Sequence, residues 1–86
     1  MLYPYMTLGD GTEILHSHII DDERVEVHFE RPLEDGFAVA RCVLPTYEWI
    51  KKENFSQEDI ALFTEFLENN ASLIYKYART GGISIA

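Results

Sequence analysis

The segment from Phe55 to Gly82 carries a full set of helix punctuation, and it constrains the fold more than any other stretch of the chain. Ser56 is a strong N-cap, and Asp59 sits where the reciprocal carboxylate of a capping box belongs. Phe55 and Ile60 occupy the two positions of a hydrophobic staple. Glu58, Asp59, Glu65 and Glu68 gather towards the start, with Lys76 and Arg79 near the end, as the helix dipole favours. Gly81 or Gly82 supplies the left-handed residue that closes the last turn. The pattern predicts one long helix of about 36 Å at a rise of 1.5 Å per residue.

Wound at 100° per residue, its apolar side chains fall into two adjacent rows. Ile60, Phe63, Leu67, Ala71, Ile74 and Ala78 make the first, and Leu62, Phe66, Leu73 and Tyr77 the second. Glu58, Glu65, Glu68, Asn69, Ser72, Lys76 and Arg79 occupy the remaining face. The apolar arc is about half the circumference, wider than contact with one sheet requires. Two readings follow. Either Trp49, Phe55 and the N-terminal strand cover the second row, or that row is a dimer seam or a groove for a partner. Asn70 lies among the apolar rows, where a polar residue sets register or marks a break at Asn69-Asn70.

The chain before the helix reads as strands. Leu2 to Leu8 reads as a strand, and its Pro4 argues for an edge position or for the very start of that strand. Gly9-Asp10-Gly11 forms a reversal, and Thr12 to Ile20 a second strand. Asp21-Asp22-Glu23 turns into Arg24–Arg31, the cleanest alternation in the chain. Val25, Val27 and Phe29 face the core there, while Arg24, Glu26, His28 and Glu30 face water. Pro32 to Gly36 reads as a loop, and Phe37 to Leu44 as a fourth strand closed by Pro45. On it Ala38, Ala40 and Cys42 share one face, whose small side chains let a helix approach closely. Thr46 caps a short helix over Tyr47–Lys52, and Asn54 breaks it. The expected architecture is α+β: a four-stranded antiparallel meander packed against one long C-terminal helix, with a short helix before it. Residues 1–82 form the single domain, and 83–86 a frayed tail.

Histidines offer the one constellation with a metal-site look. His16 and His18 share a strand face, and the hairpin register decides where His28 falls. A three-residue loop pairs Ile20 with Arg24, His18 with Glu26 and His16 with His28, gathering three imidazoles on the wet face. A two-residue turn instead sets His16 against Phe29 and His18 against Val27, facing the core. The spacing has far less specificity than a helical H-E-x-x-H motif, so surface histidines are the plainer reading. Cys42 reads as a buried, inert thiol rather than a nucleophile, and the acidic pairs Asp21-Asp22 and Glu34-Asp35 as turn residues.

Charge narrows the partners. Residues 1–40 hold nine acidic side chains against two arginines, a balance of −7, whereas 41–86 hold six against five, a balance of −1. Such a field repels a phosphate backbone and steers towards a basic protein. A single cysteine forms no internal disulfide, which suits a reducing cytoplasm. Neither a secretory signal nor a membrane-spanning run is expected. The expectation is a non-enzymatic, cofactor-free cytoplasmic interaction module, either a homodimer or the regulator of a basic partner. Its anchors are Leu62, Phe66, Leu73 and Tyr77, and its steering charges Glu26, Glu30, Glu34 and Asp35. Small bacterial accessory and antitoxin-like proteins share so simple a layout, an analogy of architecture alone. The alternative is a small metal- or ligand-binding domain using His16, His18 and His28.

Overall fold

A computed structural model describes residues 1–21 and 23–82. The tail expected at 83–86, and Asp22 in the second turn, lie outside the described residues. Five strands run in sequence order through one antiparallel sheet: β1 (Tyr3–Thr7), β2 (Glu13–His16), β3 (Val25–Leu33), β4 (Gly36–Leu44) and β5 (Glu48–Glu53). Helix α1 (Gln57–Thr80) then crosses one face. The sheet is therefore five-stranded rather than four-stranded, and the helix expected over Tyr47–Lys52 is β5.

The reason for β5 is non-local. A helix there would leave the backbone groups along the outer side of β4 without partners. As a strand the segment pairs Trp49 with Cys42 and Lys51 with Arg41, which turns Trp49 towards the core. Left-handed residues at either end, Tyr47 (φ 59°) and Asn54 (φ 63°), let the chain enter and leave the edge. Thr46 donates its hydroxyl to the Val43 carbonyl instead of capping a helix. The expected Pro32–Gly36 loop is likewise mostly strand, with only Glu34 and Asp35 in the turn. Pro4 does stand on an edge strand, β1.

The core lies between the sheet and α1. Val25, Val27 and Phe29 of β3 are fully buried, as are Ala38, Ala40, Cys42 and Leu44 of β4. The small side chains of β4 leave room for Phe63, Leu67, Ile74 and Ala78, the buried residues of α1. Phe63 stacks on Phe29 with ring centroids 4.4 Å apart, and Phe55 meets Phe63 edge-on at 5.0 Å. Both ends of the helix follow their local chemistry. Ser56 and Asp59 form a reciprocal capping box, and Gly81 closes the helix at φ 82°.

Polar side chains fasten α1 along its length. Arg31 of β3 reaches Asp10 (2.8 Å), Thr12 (2.9 Å) and Asp59 (3.7 Å), and its guanidinium lies over Phe55 at 4.9 Å. One arginine thus joins the β1–β2 turn, β3 and the start of the helix. Trp49 donates to Thr64 (3.1 Å) at mid-helix, and the Tyr75 hydroxyl to the Glu23 carbonyl (2.7 Å) near the end.

Candidate interaction surface

The two helix rows separate as the packing dictates. Phe63, Leu67, Ile74 and Ala78 of the first row are buried, with Ile60 and Ala71 half-buried beside them. The second row divides. Tyr5 of β1 covers Phe66 edge-on at 6.1 Å and lies 6.2 Å from the Tyr77 ring. Phe66 also meets Phe29 at 6.4 Å. Phe66 and Tyr77 are accordingly half-buried, whereas Leu62 is 63% and Leu73 46% exposed. Two of the four expected anchors therefore belong to the fold, and two project from it.

Asn70 owes its place to the same contact. Its Oδ1 accepts the Tyr5 hydroxyl at 2.8 Å and its Nδ2 donates to the Phe66 carbonyl at 2.8 Å. The helix continues unbroken through Asn69 and Asn70. Burial raises the Tyr5 hydroxyl above its ordinary pKa, with Tyr77 adding to the effect. That hydroxyl remains protonated and able to donate at neutral pH.

The acidic set lies elsewhere. Glu26 and Glu30 are on the sheet face opposite α1, and Glu34 and Asp35 are exposed at the β3–β4 turn beside the exposed Leu33 and Phe37. The structure does not bring these charges together with Leu62 and Leu73. The outer face is striped. A row of Leu15, His28, Arg41 and Lys51 crosses it, flanked by Glu13, Glu30 and Glu53 on one side and by Glu26 and Glu48 on the other. His28 is buried in the middle row, with Nε2 3.3 Å from Glu26 Oε1. Burial and then Arg41 push its pKa down, partly offset by the hydrogen bond to Glu26 and the charges of Glu26 and Glu30.

The histidines do not converge. Ile20 bridges Arg24, as a three-residue loop requires, but the register slips one residue farther on. Ser17 meets Glu26 through both its backbone N–H (2.9 Å) and its hydroxyl (3.0 Å), so His18 and Ile19 together stand against Val25 alone. The pairs become His16 with Val27 and Leu15 with His28, not His16 with His28 or His18 with Glu26. His16 is thereby turned into the core, His28 stays on the outer face, and His18 is exposed. A one-residue slip moves a side chain to the opposite face. Among the described residues, no three His, Cys, Asp or Glu side chains are grouped to hold a metal ion. Inside, His16 Nδ1 donates to the Ser17 carbonyl (2.8 Å) beneath Tyr3 and Tyr5, and Nε2 has no partner among the described residues.

Cys42 is fully buried, and desolvation pushes its thiol up to about 12. It is inert at neutral pH, as read from the strand pattern. The Arg31 network was not anticipated. Its one local signal is Asp10-Gly11-Thr12, where Asp10 Oδ1 accepts the Thr12 N–H at 2.9 Å. Among the described residues no helix is long and apolar enough to cross a membrane. Comparison with protein-family models, with curated proteins and with solved structures finds no match to this chain.

Proposed function

We propose that this chain is a non-enzymatic protein–protein interaction module that self-associates through the outer row of α1 and leaves its acidic sheet face to a basic partner. The observation that carries the reading is the exposure of Leu62 and Leu73 on one side of a helix whose other large apolar residues are buried or half-buried. Glu26, Glu30, Glu34 and Asp35 lie away from that row, so association through α1 leaves them able to attract a cationic surface. A reducing compartment such as the cytoplasm suits the single thiol of Cys42.

The test is solution mass by light scattering across a hundredfold concentration range. The wild-type mass rises above the 9.9 kDa of one chain. Leu62→Asp combined with Leu73→Asp stays at that mass while its circular dichroism is unchanged. Alanine at Phe66 and Tyr77 is a poorer test, because it also strips the packing from Tyr5. A wild-type mass fixed at one chain throughout overturns the reading.

A further inference from the structure

The solvent side of α1 has a period of its own. Leu62, Phe66, Asn69, Leu73, Lys76 and Thr80 succeed one another at intervals of four, three, four, three and four residues. That alternation keeps a seam on one side of a pair of supercoiled helices. Phe66 is half-buried and the other five are exposed. Glu58, Glu65, Ser72 and Arg79 run beside the seam at seven-residue intervals, all of them exposed. Charge is segregated along the rod, with Glu58, Asp59, Glu65 and Glu68 in its first half and Lys76 and Arg79 in its second. At about 36 Å the helix is as long as the longest dimension of the molecule, 34 Å.

We infer that the occupant of this seam is a second copy of the chain, its helix running antiparallel about a two-fold axis between Leu67 and Glu68. The inference rests on the interaction reading above and gives it a partner and a geometry. Under that axis Leu62 faces Leu73 of the second copy, Phe66 faces Asn69, and Lys76 faces Asp59. In the flanking row Glu58 meets Arg79. The charge segregation selects this arrangement. A parallel pair would set Glu58 and Glu65 beside their own copies and Lys76 beside Lys76, with the two helix dipoles aligned. Reversing one helix lays the acidic half of each against the basic half of the other. A partner for such a helix must carry the same segregation in the opposite direction, and a second copy does so by symmetry. Asn69 at the central layers costs some stability and fixes the register, the use to which a lone polar residue in a seam is put.

Cysteine cross-linking reads the geometry directly. Leu62→Cys and Leu73→Cys are made singly and together, with Cys42 retained because it is buried. Under mild oxidation the double variant forms a covalent dimer, while either single variant remains one chain on a non-reducing gel, since a disulfide spans Cα atoms only about 4.4–6.8 Å apart. Charge exchange gives an independent readout. Glu58→Lys or Arg79→Glu alone weakens self-association about fivefold, and the two together restore it. A covalent dimer from either single variant, no cross-link in the double variant, or failure of the charge exchange to rescue overturns the antiparallel seam. If light scattering still shows a dimer in those cases, self-association stands and only its geometry falls. A strictly monomeric chain removes both.

Discussion

His28 shows how much a single residue depends on its neighbours across the sheet. The alternation of β3 places it on the outer face, yet Leu15 and Arg41 stand directly opposite on either side and bury it. The groups facing it are Arg41 from β4 and Glu26 and Glu30 from its own strand. Desolvation and Arg41 together hold its pKa below the ordinary 6.5. The consequence for stability has a definite sign. As pH falls through 6.5 the unfolded imidazole takes up a proton and the folded one does not, so the unfolded state binds more protons and stability drops. The contribution is complete above that pH and is lost as the pH falls through the lower folded value. Asp10 and Asp59, held below the usual carboxylate range chiefly by hydrogen bonds from Thr12 and Ser56, act in a separate and more acidic window. Urea midpoints at pH 7.5, 6 and 5 should therefore fall for the wild type, and His28→Gln should flatten that fall. An unchanged slope in the variant would assign the effect to other groups.

At the scale of elements, legibility follows the range of the interactions that decide them. Helix α1 was readable to its last turn because Ser56, Asp59 and Gly81 act on backbone groups a few residues away. The inward faces of β3 and β4 were readable because alternation is local too. Tyr47–Lys52 was misread because its short mix of apolar and charged residues suits a helix or a strand, and the vacant side of β4 decides between them. The His16 register was lost to one extra residue beyond Ile20, a slip that no local motif announces. Of the candidate site, the row itself was visible, but only the packing of Tyr5 separates Phe66 and Tyr77 from Leu62 and Leu73. The helix end gives the sharpest prediction here. Gly81 and Gly82 both have positive φ, 82° and 107°. A Cβ on Gly81 would meet nothing nearer than the Tyr3 hydroxyl at 4.0 Å, whereas one on Gly82 would lie 3.0 Å from the Tyr3 ring. Gly81→Ala should cost about 1 kcal/mol of backbone strain. Gly82→Ala adds the clash with Tyr3 to a comparable strain, so its thermal midpoint should be the lower of the two. Equal midpoints would mean that Tyr3 yields without cost.

For the molecule as a whole, charge works against the compact state. The chain carries a net −8, and Glu13 stands directly opposite Glu30 on the outer face. Like charges at facing positions of an antiparallel pair are destabilising, and Glu26, Glu48 and Glu53 add further acids to the same face, each opposite a valine. The exposed ion pair of Arg24 with Asp21 offsets little of this. Screening should consequently stabilise the protein. Between 20 mM and 300 mM sodium chloride the Debye length shrinks to less than the spacing of the acidic rows, and the thermal midpoint should rise by about 3 °C. Glu13→Gln with Glu30→Gln should raise the midpoint at low salt by a similar amount and remove most of its dependence on salt. That outcome would support the proposal that this face is kept acidic for a cationic partner, the trade expected where binding rather than folding sets the residue. If the double variant instead unfolds at a lower temperature than the wild type, the acids support the sheet, through Arg41 and His28, and the outer face is structural.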